Sequence, residues 1–244
     1  CWGANLLGNS SASVNGTRVD MGSTNDSHTS ISVGTGHGCG IAADTAYCWG
    51  DNNNGQLGIG SGFPTSSANP LNVQVLNGWT PIEIETSESG SSTCGLFENS
   101  TTTRVYCWGD GSQGVLGNDA SYGDDYSPLS PVATGSGSGS EITPQASSND
   151  LEIPFFRPAQ IAAGGWHFCA VSVQGLVKCW GANNYGQLGQ GNTTPQGGQS
   201  DQMGESLAFT NLGTNLTALQ VVSGTLHSCA LISNGNVKCW GHNG

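Results

Sequence analysis

The chain has 244 residues, enough for one large domain or two small ones, and five Lys+Arg against seventeen Asp+Glu give a net charge of −12. That balance repels phosphate backbones and anionic lipid, so nucleic-acid and membrane-surface roles are disfavoured, and no apolar run approaches the roughly 18 residues of a spanning helix. Charged residues are only 9 % and glycines number 39, yet seven Trp and nine Cys recur at regular places, which argues against disorder.

The chain opens on Cys1-Trp2-Gly3, and the same triplet returns at Cys48, Cys107, Cys179 and Cys239, at intervals of 47, 59, 72 and 60 residues. Recurrence on this scale marks solenoids, propellers or arrays, whose units bury their apolar faces only by stacking on neighbours. Residue 1 is not Met and no basic-then-apolar leader follows, so a secretion signal is expected upstream of this segment or already removed. The first full unit starts with the predicted strand Ile31-Ser-Val33, closed by Gly34. Two further strands, around Cys39 and Cys48, turn about Ala43-Asp44 and lead into Asp51-Asn-Asn-Asn-Gly-Gln-Leu-Gly58. The second unit repeats the order with Ile82-Glu-Ile84, Cys94 to Cys107 around a longer tip at Ser100-Thr101, and Asp110-Gly-Ser-Gln-Gly-Val-Leu-Gly117. Residues 127–150 are Ser/Gly/Pro-rich and read as a surface insertion that lengthens the third interval, not as a domain boundary, because the triplet register resumes after them. The third unit runs through Ile161-Ala-Ala163, Cys169 to Cys179 about Gln174-Gly175, and Ala182-Asn-Asn-Tyr-Gly-Gln-Leu-Gly189. The fourth runs through Val221-Val-Ser223 and Cys229 to Cys239 about Asn234-Gly235. A glycine just past a strand end supplies the φ > 0 position of a tight hairpin. No window keeps a helical period, so the chain is predicted all-β.

In each hairpin two cysteines lie at equal distances from the turn, and cross-strand Cβ atoms sit about 4.5–5.5 Å apart, close to what a disulfide spans. The predicted bridges are Cys39 with Cys48, Cys94 with Cys107, Cys169 with Cys179 and Cys229 with Cys239. Zinc sites favour close Cys-x₂₋₄-Cys pairs converging on one ion, and no such spacing occurs, so no metal is assigned. Each bridge closes a short loop worth roughly 2–3 kcal/mol. Bridges persist in oxidising surroundings, which points to a secreted or cell-surface location. Cys1 is unpaired within this segment; its partner lies about ten residues ahead of the present start, or it is a free or intermolecular thiol.

The unit Gly-x-x-His-x-Cys-Ala-Leu/Val-x-x-x-Gly-x-Val-Lys-Cys-Trp-Gly-x-Asn-x-x-Gly-Gln-Leu-Gly resembles the RCC1 (regulator of chromosome condensation) repeat, in its cysteine-bearing secreted or surface version. The resemblance implies a β-propeller of four-stranded blades, seven when complete. Residues 1–244 then hold roughly four blades plus partial blade ends, as an internal segment of a longer polypeptide. Both termini carry the same Cys-Trp-Gly strand, which duplicates a piece rather than closing a ring. Three places depart from the pattern: the shortened Ala4-Asn-Leu-Leu-Gly8, Ser92 in place of the recurrent His, and the 127–150 insertion.

His37, His167 and His227 precede a bridge cysteine by two residues, one per unit, and are expected to make a structural hydrogen bond to the turn rather than to bind a metal. Six sequons, at Asn9, Asn15, Asn25, Asn99, Asn192 and Asn215, are candidates for N-glycosylation. Asp110, Asp119 and Asp124-Asp125 are a calcium candidate weighed against the expected solvated acidic loop, and Asp51-Asn-Asn-Asn-Gly fails the calcium-loop spacing, which wants Gly at the sixth place. The triplet tryptophans are expected in inter-blade or blade-edge packing, while Trp79 and Trp166 fall outside the triplets and are the candidates for stacking on a sugar. No catalytic constellation and no cofactor-binding motif appears. The expected role is therefore a non-enzymatic structural module of an extracellular appendage, fibre or adhesin. Its partners are other chains or remaining blades of the same polypeptide, with N-linked glycans and without nucleic acid or membrane insertion. The alternative is a secreted protein- or carbohydrate-binding propeller of inhibitor or receptor type.

Overall fold

The structure, a computed structural model, describes residues 28–60, 64–75, 77–118, 156–199 and 201–244. Cys1, Asn9, Asn15, Asn25, Asp119, Asp124, Asp125 and the 127–150 insertion lie outside the described residues.

Thirteen strands, grouped in four antiparallel sheets, make up the described secondary structure, with a single 3₁₀ turn at Ser112–Gly114. The first sheet holds β1 (His28–Val33), β2 (His37–Ala42), β3 (Thr45–Asp51) and β4 (Ser66–Asn72) in that order. The second holds β5 (Thr80–Thr86), β6 (Ser92–Glu98) and β7 (Thr103–Gly109). The third holds β8 (Pro158–Ala163), β9 (His167–Ser172) and β10 (Val177–Gly181), and the fourth β11 (Ala218–Ser223), β12 (His227–Ile232) and β13 (Val237–Gly241). Each is an up-and-down meander, the blade of a propeller.

Among the described residues, a continuous fourth strand appears in the first blade alone. In the third blade its place is taken by two isolated bridges, Lys178 with Phe209 and Gly181 with Gln196. The stretch from Ala182 to Phe209 is rich in Gly, Gln and Asn and lacks the apolar alternation that sustains a ladder. Even β4 carries Pro70, which only an outer edge tolerates.

The central hairpins have the expected register. Cys39 faces Cys48, Cys94 faces Cys107, Cys169 faces Cys179 and Cys229 faces Cys239, and each facing pair is joined by a disulfide with Cα atoms 4.0–4.1 Å apart. The first hairpin turns on Ala43 and Asp44, both left-handed (φ 48° and 59°), the paired positive φ of a type I′ turn. The triplet glycine has a definite reason. Gly50, Gly109, Gly181 and Gly241 all have φ between +102° and +106°, and a Cβ at each would collide with the carbonyl oxygen of residue 36, 91, 166 or 226, just ahead of the neighbouring strand.

The blades stack in chain order. Strand β5 packs on β1, β2 and β3; β8 packs on β5, β6 and β7; β11 packs on β8 and β9. Because the four first strands touch in succession, they form an inner rim from which the blades fan outward. Three apolar clusters fill the gaps between blades. Ile41, Cys48, Leu57, Ile84 and Trp108 lie between the first and second, Leu96, Val105, Ile161, Phe168 and Trp180 between the second and third, and Val171, Val177, Leu188, Val221 and Ala230 between the third and fourth. Three of the disulfides lie within these clusters, whereas Cys229–Cys239 lies on the more exposed fourth blade.

Candidate functional site

What holds one blade to the next repeats three times. The first strand of every blade carries a bulge, between His28 and Ser30, Pro81 and Glu83, Pro158 and Gln160, and Ala218 and Gln220. A bulge inserts one unpaired residue and re-aims the next side chain. That next side chain grips the inner strand of the following blade. Ser30 Oγ accepts from Ile84 N at 3.3 Å, Glu83 accepts from Ile161 N at 2.7 Å, and Gln160 both accepts from Val221 N at 2.9 Å and donates to Val221 O at 2.8 Å. Gln220, the same position in the fourth blade, is exposed. Ile82, which opens the predicted strand Ile82-Glu-Ile84, is the bulged residue and is 38 % exposed.

Two more contacts repeat. The triplet tryptophans reach back to the loop after the previous blade's triplet: Trp108 Nε1 donates to Gln56 O (3.0 Å), Trp180 Nε1 to Val115 O (3.0 Å) and Trp240 Nε1 to Gln187 O (2.8 Å). This extends their expected role from packing to a directional latch. Trp49 is buried, and its Nε1 has no hydrogen-bond partner among the described residues. The histidines reach forward. His37 Nε2 lies 2.8 Å from Thr93 Oγ1, and His167 Nε2 lies 2.8 Å from Ser228 Oγ. The expected bond to the turn is thus replaced by a bond to the next blade, because the ring is buried between blades. Burial also pulls both imidazoles down to about 4, so they stay neutral. In the second blade, Ser92 stands in the histidine's place and turns back to Asp110 O, while the third blade offers Phe168 where Thr93 and Ser228 carry hydroxyls. Histidine in one blade goes with a hydroxyl in the next.

Among the described residues, the first and the fourth blade each have one face without these covers. On the first blade Ile31 is 67 % exposed, whereas its counterparts Ile84, Ile161 and Val221 are 0–1 % exposed. On the fourth blade Leu231 and Val237 are 38 % and 66 % exposed, while the matching pairs Val171/Val177, Leu96/Val105 and Ile41/Ala46 do not exceed 4 %. His227 and Gln220 lie exposed on that same blade.

The remaining predicted positions are scattered. Asn99 caps the tip of the β6–β7 hairpin, its Oδ1 accepting from Thr101 N, Thr101 Oγ1 and Thr102 N. Asn192 is exposed and accepts from Asn183 Nδ2 and Thr194 N, and Asn215 is exposed with φ 58°. Asp110 serves its own turn, accepting from Ser112 N, and among the described residues no three His, Cys, Asp or Glu side chains converge as a metal site. Trp79 is packed edge-on against Tyr106 beneath the Arg104 guanidinium, whereas Trp166 lines a cavity. Lys178 is buried, donates to Gly204 O and lies over Phe209, and burial draws its ammonium down to about 8.

Comparison with known proteins agrees with this architecture. Residues 44–94 match a model of the regulator of chromosome condensation (RCC1) repeat, and residues 159–187 and 219–244 match a second model of that repeat. The chain is 29 % identical over 218 residues to the probable E3 ubiquitin-protein ligase HERC6 of Homo sapiens, covering 87 % of this chain and 18 % of that protein. It is also 29 % identical over 220 residues to the ultraviolet-B receptor UVR8 of Arabidopsis thaliana, covering 86 % of this chain and 40 % of that protein. The chain therefore spans less than half the length of either relative. Among solved structures, human WBSCR16 superposes with a TM-score of 0.67 at 18 % identity, over 93 % of this chain and 51 % of that one. Yeast RCC1 (Prp20), solved bound to Kap60, superposes with a TM-score of 0.62 at 18 % identity, over 87 % and 43 %. Both likenesses concern the fold. With its recurring triplets and meander blades, this chain carries RCC1-like repeats over residues 44–94, 159–187 and 219–244, stapled by four disulfides.

Proposed function

We propose that the chain is a non-enzymatic structural module of an extracellular assembly, held to further chains or further blades of its own polypeptide through its outermost blade faces. The observation that carries this reading is the exposure of Leu231 and Val237 at positions that are buried in all three preceding blades. An apolar face of this kind, rimmed by Gln220 and His227, marks an association surface rather than a solvent face. The four disulfides favour an oxidising compartment, consistent with a secreted or surface location. A structural role also accords with the histidines. His37 and His167, the groups whose chemistry most often serves catalysis, are buried in blade contacts and away from solvent. Glycans at Asn99, Asn192 and Asn215 would project from loops without interrupting a blade contact.

Sedimentation velocity of the oxidised chain tests this reading. The wild-type chain should self-associate as its concentration rises through the micromolar range, and Leu231→Glu with Val237→Glu should leave it monomeric. A wild type that stays monomeric at all concentrations, or a double variant that associates equally well, would count against the face as an association surface.

A further inference from the structure

A cavity of about 300 Å³ opens where the loops of the second and third blades meet the fourth, lined by Ser112, Gln113, Trp166, Asn184, Tyr185 and Leu226. Its composition departs from what the repeat requires. Blade register places Trp166 at the same position as Gly36, Ser91 and Leu226, since each lies immediately before the residue that faces the triplet glycine. Tyr185 likewise matches Asn54 and Gln113 in the loop after the triplet. The fold is satisfied by Gly, Ser or Leu at the first position and by an amide at the second, so the two aromatics are not demanded by packing. Both are open to solvent: Tyr185 is 49 % exposed and meets the His242 ring edge-on at 4.9 Å, while Trp166 is half-buried.

Gln187 Oε1 accepts from Tyr185 N, but other side-chain polar groups around the two aromatics are unengaged among the described residues. The Trp166 indole N–H makes no hydrogen bond among the described residues, in contrast to the latched Trp108, Trp180 and Trp240. The side-chain amides of Gln113 and Asn184 are exposed and likewise make none. Gln113 is held at φ 62°, a left-handed backbone that fixes the direction from which its side chain leaves the loop. Among the described residues no charged side chain lines the cavity, although the chain as a whole carries a net charge of −12. A cavity with aromatic faces, amides that can both donate and accept, and no charge suits a ligand that is neutral, rich in hydroxyls and apolar on one face.

We propose that this cavity binds a neutral pyranose, its C–H face stacked on Trp166 and its hydroxyls met by the amides of Gln113 and Asn184. The inference is independent of the blade-face reading, because it uses none of the outer-face residues. Among the described residues the lining offers a cation no carboxylate and an anion no Lys or Arg side chain.

Saturation-transfer NMR tests it, using the oxidised chain made in a bacterial periplasm so that no N-glycan occupies the site. Glucose, galactose, mannose and N-acetylglucosamine are offered singly at millimolar concentration. At least one sugar should receive saturation from the wild type. Trp166→Ala should weaken that binding by about tenfold or more, and Asn184→Ala should weaken it severalfold, both with an unchanged urea midpoint because the repeat tolerates small residues there. Transfer to none of the four sugars, or transfer undiminished in both Trp166→Ala and Asn184→Ala, would overturn the proposal.

Discussion

Glu83 and Gln160 hold the same place in successive inner strands, and each grips the strand beyond it, but they do so with different chemistry. Gln160 makes two bonds to Val221, one in each direction, whereas an ionised Glu83 can only accept from Ile161 N. Burial lifts the Glu83 carboxyl to about 7, with Glu85 on the same strand pushing in the same direction and the bond from Ile161 opposing it. A folded-state value above the unfolded one means that folding favours the protonated form, which alone can also donate as Gln160 does. Its contribution is therefore full below about pH 4.5 and is lost as pH rises through about 7. His37 and His167 act in the opposite sense: pulled down to about 4, they cost stability as pH falls from 6.5 toward 4. Thermal unfolding followed by circular dichroism should show Glu83→Gln melting about 2–4 °C above the wild type at pH 8, equivalent to ~1 kcal/mol, with the gap closing near pH 4.5. An equal gap at both pH values would show that proton uptake at Glu83 is not what separates them. None of this was legible in the sequence, where Glu83 is one polar residue in an alternating strand and nothing signals the bulge that turns it outward.

At the scale of the element, the hairpins were legible and the joints between them were not. Cysteines symmetric about a turn, a glycine past the strand end and the repeated Cys-Trp-Gly define local geometry, and the register of β2–β3, β6–β7, β9–β10 and β12–β13 follows from them. The grips of Ser30, Glu83 and Gln160 link residues 54 to 78 positions apart through an irregularity in strand pairing, which leaves no periodic mark. The histidines were assigned to the turn for the same reason: their partners, Thr93 and Ser228, lie one blade further along the chain. The expected four-stranded blade is complete in the first sheet, while in the third the residues where the fourth strand would run form only isolated bridges. The stapled hairpins make a direct prediction. Replacing Cys169 and Cys179 by Ser together should lower stability by about 2–3 kcal/mol and the melting temperature by roughly 5–10 °C. The fold should survive, because Trp180, Ile161 and Phe168 keep the neighbouring cluster. Complete loss of cooperative unfolding would show instead that the bridge is required for the blade to form.

Across the whole molecule, three kinds of contact recur at each junction: an apolar cluster, a tryptophan reaching back to a loop carbonyl, and an inner-strand side chain reaching forward to a backbone amide. Each blade is thus tied in both directions, which is how a stack of small sheets gains cooperativity from nearest-neighbour terms. Residue-resolved amide hydrogen exchange measures these ties most directly. The amides of Ile84, Ile161 and Val221, each bound by the blade before it, should exchange at least about tenfold more slowly than the amide of Ile31, which occupies the same strand position without a gripping residue among the described ones. Equal exchange at all four amides would contradict the stacking of blades through their inner strands.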